Sequence, residues 1–268
     1  MRVALSIAGS DSGAGAGIQA DLKTFAAHGV YGVTAITAVT AQNTVGVTMV
    51  EALPADLVIA QIEAVVADIG AHAAKTGMLA NAAIVESVAA AVQELDIPLL
   101  VVDPVMVAKS GDRLLDDDAI GAMKSELLQL AFVVTPNIPE AEALTGMTIR
   151  TREDREEAAR RIHDLGPAQV VIKGGHVPDG PIMDLLYDGN AFRAFESIRV
   201  ESRHTHGTGC TFSASLAAHL AQGRALDEAI PLAQRYVAGA IQAGLNLGRG
   251  HGPMDHFWRN RADRAGRM

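Results

Sequence analysis

The sequence has little cysteine, few aromatic residues and no long apolar run. It contains one cysteine, Cys210, and only 4% of its 268 residues are aromatic. A lone cysteine cannot form an internal disulfide, which favours a reducing compartment. No apolar run approaches the roughly 20 residues that a membrane helix requires. The apolar stretch after Arg2 is also too short for a signal peptide. We therefore expect a cytoplasmic protein that does not bind membranes.

Positive charge is scarce as well. The chain has 22 Lys and Arg residues against 31 Asp and Glu residues, a net charge of −9. A surface of this sign disfavours nucleic-acid binding, although it is compatible with a local basic pocket for phosphate groups. Hydrophobic residues, at 49%, suffice for a large core. No repeat, low-complexity tract or linker interrupts the sequence, so we expect residues 1–268 to form a single domain.

Short apolar runs alternate with longer amphipathic segments in the first half of the chain. The runs RVALSIAG, YGVTAITAVT, HAAKTGM, IPLLVVDPV and AFVVTPN predict strands, and the segments between them predict helices. This order is typical of a mostly parallel sheet with helices on both faces. From about Ile182 a hairpin with an Asp-Gly-Asn turn precedes two helices, Cys210 to Gln222 and Leu226 to Leu247. The break favours an open three-layer α/β/α sandwich, with a (β/α)8 barrel as the alternative.

A first glycine-rich turn, GSDSGAGAGIQAD, follows the first predicted strand. It is not a Walker A loop, because the chain contains no Gly-Lys dipeptide. It also fails the dinucleotide pattern G-x-G-x-x-G, because Ile18 stands where the last glycine is required. Glycine here is compatible with a tight, purely structural turn. The polar residues Asp11, Gln19 and Asp21 favour a ligand instead, because they follow a strand at the edge where open α/β sheets bind ligands.

A second glycine-rich turn, HTHGTGC, leads directly into an apolar helix. The first N–H groups of a helix are unpaired and its dipole is positive there, so this turn can hold an anion. The helix start should lower the pKa of the Cys210 thiol and make it a candidate general base. The alternative for Cys210 is a buried structural residue. His204 and His206 have no further ligand near them in sequence, which disfavours zinc.

Three other predicted strands end in polar residues. Lys173 follows VVI and could contact a nucleotide phosphate, or be a solvated strand-end lysine. Asn137 and Glu140 follow VVTP and could order Mg²⁺ through water, or cap a helix. Asp103 ends VVDP. Each signal is weak alone, but the carboxyl ends of neighbouring parallel strands meet at one edge of a sheet.

The sequence resembles the hydroxymethylpyrimidine/phosphomethylpyrimidine kinases of thiamine biosynthesis, in the ribokinase-like superfamily. The resemblance spans nearly the whole chain. It rests on the ordered motifs AGSDSGAGAGIQADLKTF, TAVTAQNT, KTGML, VVDPVMVAKSG, TPNIPEAEALTG, VVIKGGH, THGTGCTFSASLAAHLA and GHGPMDHFW. It implies a ribokinase-like α/β/α sandwich that uses MgATP to phosphorylate the hydroxymethylpyrimidine and then its monophosphate.

The resemblance also implies a set of site residues. The pyrimidine site falls on Gln42, Asp21, Gly9, Met78 and Val105. The anion hole and catalytic group fall on Gly207, Thr208, Gly209 and Cys210. ATP contacts fall on Lys173, Asn137 and Thr208, and Asn137 and Glu140 resemble an Asn-x-x-Glu magnesium motif. With Asp103 at the neighbouring strand end, we expect Glu140 and Asp103 to hold Mg²⁺ through water.

Other functions stay open at this stage. A pyridoxal kinase is the nearest alternative, because pyridoxal also carries a hydroxymethyl group on a flat ring. A nicotinamide-dependent oxidoreductase and a non-catalytic vitamin-binding module are the alternatives from other classes. The expected partners are a small pyrimidine and ATP, within a homodimer.

Overall fold

One sheet of nine strands organises the chain in the computed structural model, which describes residues 1–107, 111, 114–175 and 180–260. The strand order is β3-β2-β1-β4-β5-β6-β7-β8-β9. Strands β2, β1, β4, β5, β6 and β7 are parallel, β3 joins β2 antiparallel, and β8 and β9 form an antiparallel hairpin beside β7. The bounds are β1 Val3–Asp11, β2 Tyr31–Gln42, β3 Val47–Ala52, β4 Ala73–Thr76, β5 Leu100–Val102, β6 Val133–Val134, β7 Val170–Ile172, β8 Ile182–Tyr187 and β9 Phe192–Ser197.

Helices cover both faces of this sheet. Their bounds are α1 Gly17–Ala27, α2 Ala55–Asp68, α3 Ala82–Glu94, α4 Asp117–Ala122, α5 Ile138–Thr145, α6 Arg152–His163, α7 Thr208–Ala221 and α8 Leu226–Gln242. Helices α1, α7 and α8 enclose one apolar core against the sheet, and α2 to α6 enclose the other. Strand residues alternate between the two cores: Leu5 packs in the second, and Ala4 packs in the first. This period of two is the geometry of a pleated strand buried on both faces.

The three-layer α/β/α sandwich expected from the sequence is confirmed. The barrel alternative is wrong, because β3 and β9 end the sheet as separate edges within the described residues. The final predicted helix ends at Gln242 rather than Leu247. The edge strand β3 had no prediction, because most of its side chains are exposed and show no alternating pattern. No described helix is long and apolar enough to cross a membrane.

The chain order of the strands places a crevice at the middle of the sheet. From β1 the chain first adds β2 on one side and then crosses to β4 on the other. Open α/β sheets bind ligands outside the carboxyl ends of the strands at such a switch point. The polar residues that follow β1, β5, β6 and β7 all lie along this edge, and α7 begins there.

Candidate active site

Helix α7 begins with an uncapped amino terminus at this edge of the sheet. Gly207 precedes it with a φ of +79°, and no side chain accepts a hydrogen bond from its first turn. A positive φ favours glycine, and a methyl group at Gly207 would also overlap the carbonyl oxygen of Gly15. Apart from the Thr208 N–H, which donates to the Thr205 carbonyl oxygen at 3.4 Å, the first N–H groups of α7 are therefore available to an anion. The Thr208 hydroxyl is not equally available, because it donates to the Thr205 carbonyl oxygen at 2.7 Å.

A charged cluster faces the start of α7. A methyl group at Gly209 would lie 3.4 Å from Lys173 Nζ and 3.8 Å from Asp103 Oδ2. Lys173 Nζ donates to Asp103 Oδ1 at 3.0 Å and lies 3.9 Å from Glu140 Oε2. Burial opposes charge on Lys173, but Asp103 and Glu140 outweigh it and raise the pKa of Lys173. The structure thus brings together three residues that lie far apart in sequence.

Asn137 and Glu140 form a capping box at the start of α5. The Asn137 side chain accepts from the Glu140 N–H at 2.9 Å, and the Glu140 carboxylate accepts from the Asn137 N–H at 2.7 Å. The helix-capping alternative is thus observed. Burial raises the pKa of Glu140 to about 7, although Lys173 acts in the opposite direction. A carboxyl group with this pKa is partly protonated near neutral pH and releases its proton when a cation binds.

Asp103 and Glu140 are the carboxylates at this edge that could hold Mg²⁺. Asp103 and Glu140 both lie next to Lys173 Nζ. No group of three or more His, Cys, Asp or Glu residues suited to a metal occurs among the described residues. Mg²⁺ is commonly held by one or two carboxylates together with waters and substrate phosphates. The residues fit a magnesium ion that arrives with a nucleotide, and they do not form an all-protein metal cage.

Cys210 lies on the first turn of α7, and the Gly17 N–H at the start of α1 points to its sulfur. The expectation that the helix start lowers its pKa is wrong. Burial raises the pKa of the Cys210 thiol to about 11, more than the nearby Lys75 ammonium lowers it. The desolvation of a thiolate here, together with the charges of Asp103 and Asp21, exceeds the stabilisation from the Lys75 ammonium and the Gly17 N–H. At neutral pH the side chain is a thiol.

The residues assigned to the pyrimidine lie at the ends of β1, β2 and β4. Gly9 N–H donates to the Met78 carbonyl oxygen at 3.1 Å, and a methyl group at Gly9 would lie 3.3 Å from Met78 Sδ. Gln42 ends β2 and lies 3.5 Å from the His206 ring through its amide nitrogen. Val105 follows β5 after the buried Asp103 and is half-buried. The neighbouring strands β1, β2 and β4 bring Gly9, Gln42 and Met78 to the same edge of the sheet.

Asp21 lies beneath this site in a buried ion pair. Its carboxylate accepts from Ser6 Oγ at 2.6 Å and from Lys75 Nζ at 3.0 and 3.1 Å. The side chains of Asp21 and Lys75 are both fully buried. Burial alone would favour a neutral Lys75 amine, but the facing carboxylate raises the pKa of Lys75. Both Asp21 oxygens therefore bond to protein groups rather than face a substrate, in contrast to the role that the resemblance implies.

Lys75 was missed by the sequence reasoning, although a signal was present. It occupies the middle of a short apolar strand, AAKT, in which all four residues are buried. A lysine is almost never fully buried without a charged partner. Its position therefore predicts a buried carboxylate nearby, and Asp21 is that carboxylate.

The first glycine turn is held internally by Asp11. The carboxylate accepts from the N–H groups of Gly13, Gly15 and Ala16 at 2.8, 3.0 and 2.8 Å. His206 Nε2 lies 2.8 Å from the same carboxylate. These amide groups are thus unavailable to a phosphate, and the turn cannot serve as a nucleotide cradle. His206 was missed as a partner of Asp11 because the two lie 195 positions apart.

Known proteins share both the sequence and the fold. A bifunctional thiamine biosynthesis protein, ThiED, of Geobacter sulfurreducens is 52% identical over 94% of this chain. The chain spans only 52% of the length of that relative. A hydroxymethylpyrimidine/phosphomethylpyrimidine kinase of Bacillus subtilis is 49% identical, with 95% of this chain and 94% of the relative covered.

Among solved structures, the ADP complex of a Bacillus subtilis pyridoxal kinase matches with a TM-score of 0.90. The two chains are 41% identical, and 97% of this chain and 99% of that chain are covered. The ribokinase-like fold expected from the sequence is thereby confirmed. The model of the phosphomethylpyrimidine kinase family matches residues 11–255. The chain therefore belongs to the phosphomethylpyrimidine kinase family.

Proposed function

We propose that this protein is an ATP-dependent kinase of thiamine biosynthesis. It phosphorylates 4-amino-5-hydroxymethyl-2-methylpyrimidine and then the resulting monophosphate to the pyrophosphate. The observation that carries the proposal is the uncapped start of α7, which faces Lys173 across Gly209. Phosphoryl transfer depends mainly on positioning and on stabilising charge at the transferred group. Unpaired helix N–H groups next to a buried ammonium supply both.

The nucleotide lies on the side of the charged cluster in this proposal. Lys173 contacts an ATP phosphate, and Asn137 orients Glu140 toward the same edge through the capping box. Asp103 and Glu140 hold Mg²⁺ through water. When bound, the ion neutralises charge on the phosphate oxygens. The Lys173–Asp103 contact of 3.0 Å keeps these groups together before ATP arrives.

The acceptor lies on the side of Gly9, Met78, Gln42 and Val105. The flat apolar body of a pyrimidine suits Met78 and Val105, and the Gln42 amide suits the polar edge of the ring. Asp21 supports this side from below, through the ion pair with Lys75. The hydroxymethyl group then faces the start of α7, where Gly207, Thr208 and Gly209 stabilise the transferred phosphoryl group.

Cys210 stays in the active site of this proposal, but not as a preformed thiolate. With a pKa of about 11, roughly one thiol in ten thousand is ionised at neutral pH. Phosphoryl transfer through a loose transition state needs little help from a base until late in the reaction. The anion hole therefore carries most of the rate, and the thiol borders the attacking oxygen.

One assay tests the kinase directly. The purified protein is incubated with MgATP and the hydroxymethylpyrimidine, and the monophosphate and pyrophosphate are measured by mass spectrometry. We expect both products, and a loss of both in Lys173→Met. Lys124→Met, the same substitution outside the site, is the matched control and should behave as the unmodified protein. ATP hydrolysis without a phosphorylated pyrimidine would overturn the proposal.

Pyridoxal phosphorylation is the second candidate activity. It is favoured by the likeness to the structure of a pyridoxal kinase, at 41% identity over nearly both chains. Turnover of pyridoxal and of the hydroxymethylpyrimidine at equal concentration separates the two. Higher turnover of pyridoxal would reverse our order of preference. An oxidoreductase has no comparable support, because the first glycine turn donates its N–H groups to Asp11 rather than to a dinucleotide.

We also propose a homodimer formed by single-domain chains, residues 1–268, in the cytoplasm. The continuous sheet supports the single domain. The β2–β3 edge supports the dimer, because it exposes Val39, Val45, Val50 and Met49, the last of them 68% exposed. An exposed apolar strand edge is commonly covered by another chain. Light scattering after size-exclusion chromatography measures the mass of the assembly. A monomeric mass for the unmodified protein, with the same mass for Met49→Glu, would contradict the dimer.

A further inference from the structure

The Asp11–His206 pair joins the two glycine turns at one point. Asp11 ends β1 and lies in the turn before α1, and His206 lies in the turn before α7. Both side chains are buried, with only 3% and 7% of each residue exposed. His206 Nε2 lies 2.8 Å from Asp11 Oδ2, which also accepts from the Gly15 and Ala16 N–H groups. One carboxylate thus holds both turns.

The chemistry of the pair assigns the proton of the histidine. An ionised carboxylate only accepts hydrogen bonds, so His206 Nε2 must carry a hydrogen. Asp11 is ionised: burial would raise its pKa, but the hydrogen bonds from His206 and the backbone outweigh burial and lower it. His206 Nε2 is therefore a donor toward Asp11, and its ring cannot accept a hydrogen bond from the Gln42 amide 3.5 Å away.

The same arrangement leaves the N–H groups of the Gln42 side-chain amide available to donate to a ligand. The described residues offer them no better acceptor than the His206 ring, which already donates to Asp11. The Gln42 backbone is fixed independently, because its N–H and C=O both bond to Ser12 Oγ at 2.8 Å. The pair thus influences the acceptor side as well as the start of α7.

The two glycine turns pack directly on each other, so a shift of one turn displaces the other. The His206 ring packs on Gly15, and Gly207 packs on the Gly15 carbonyl group, so neither position has room for a methyl group. The His206 backbone N–H also donates to the Gly252 carbonyl oxygen at 3.3 Å. A change in the His206 side chain therefore moves the start of α7 relative to β1 and Gln42.

We propose that His206, held by Asp11, is a positioning residue that sets the distance between the acceptor hydroxyl and the anion-binding start of α7. The inference rests on the proposed kinase function for its kinetic readout. In this proposal His206 acts on the reaction through its neighbours Gly207 and Gln42. Its loss should lower the efficiency of transfer to the acceptor more than it weakens ATP binding.

Two substitutions of His206 separate positioning from simple packing. His206→Gln keeps a nitrogen donor at the Nε2 position, whereas His206→Leu removes it. A misplacement of about 1 Å can cost about 100-fold in rate. We therefore expect about that loss in kcat for His206→Leu, with the KM for ATP within about threefold. We also expect more ATP hydrolysed per acceptor phosphorylated, because water reaches a misaligned phosphoryl group.

His206→Gln should recover most of the rate and of the coupling between ATP use and product. His163→Leu, a change on the outer helix α6, is the matched control and should leave all three quantities unchanged. Equal losses in both His206 variants, or a loss of folded protein without a change in coupling in His206→Gln, would show a merely structural residue. An unchanged kcat in His206→Leu would overturn the proposal outright.

A spectroscopic measurement keeps the inference distinct from the kinase proposal. In a ¹⁵N-labelled protein, His206 should show a protected Nε2–H resonance that is lost in Asp11→Leu and is present without any substrate. A resonance that shows hydrogen on Nδ1 alone would overturn the inference even in an active kinase. If the resonance is present and no acceptor is phosphorylated, the kinase proposal fails while the pair stands.

Discussion

The buried Lys75–Asp21 pair offers the sharpest test of how this site is supported. Lys75→Met removes the ammonium and leaves Asp21 fully buried with Ser6 as its remaining partner. Breaking a buried ion pair from one side commonly costs about 3–5 kcal/mol, because the other charge is left uncompensated. Since unfolding entropy is about 2.1 cal/mol/K per residue, about 4 kcal/mol in 268 residues lowers Tm by about 7 °C.

Urea denaturation and calorimetry measure this loss, and two additional observations identify its cause. Lys75→Met/Asp21→Asn removes both charges and should recover at least about half of the lost free energy of unfolding. The unpaired Asp21 of the single variant has a pKa raised above its unfolded value. Its penalty is therefore greatest above that raised pKa and shrinks as pH falls through it, because the buried carboxyl group takes up a proton.

Two outcomes would refute this reasoning. One is a loss below about 1 kcal/mol in Lys75→Met, which would place the pair in a solvated environment. The other is a double variant no more stable than the single one. The same proteins also test the role of Asp21 implied by the resemblance. If Asp21 bound the pyrimidine directly, the double variant would recover stability but not the KM for the acceptor.

Three further predictions concern the turn before α7 and the helices behind it. Gly207→Ala should lower kcat/KM at least about 100-fold, whereas Gly223→Ala, also at positive φ but with open space around it, should cost only backbone strain in thermal unfolding. Because burial raises the pKa of Cys210 to about 11, Cys210→Ser should keep kcat within about tenfold and leave the pH–rate profile unchanged between about pH 6 and 9; loss of an acidic limb, on which the rate rises as the thiol ionises, would contradict this. Burial lowers the pKa of His219 to about 4. Neutral His219 therefore adds up to about 3 kcal/mol to the free energy of unfolding above about pH 6.5, and this contribution is lost as pH falls toward 4. Urea denaturation at several pH values should show a smaller loss of stability with falling pH in His219→Phe.

The parts of the fold visible in the sequence are those set by local chemistry. Val3 to Ala8 predict β1 because an uninterrupted apolar run fits a strand buried on both faces. Asn81 is a residue type that favours helix N-caps, and its side chain caps α3 by accepting from the Ile84 N–H at 3.0 Å. Gly207 marks the start of α7, because a turn with positive φ restricts the choice of residue.

The parts that the sequence did not reveal depend on contacts between distant segments. Asp11 meets His206 across 195 positions and Asp21 meets Lys75 across 54. The expectation of a low pKa for Cys210 took into account only the dipole of its own helix. Burial among α1, β4 and α7 is a property of the tertiary structure, and it reversed the direction. In the local sequence, a single charged residue in a buried strand, such as Lys75, indicates such a pair.

The two glycine turns show why composition alone does not identify a phosphate site. Both precede a helix that lacks a side-chain cap. They differ in what accepts their N–H groups: Asp11 takes three amides in the first turn, whereas no side chain caps the start of α7. A carboxylate fixed inside a turn both occupies its donors and repels a phosphate, so the first turn is suited to a neutral ring. The position of the acidic residue relative to the glycines therefore carries more functional information than the glycines themselves.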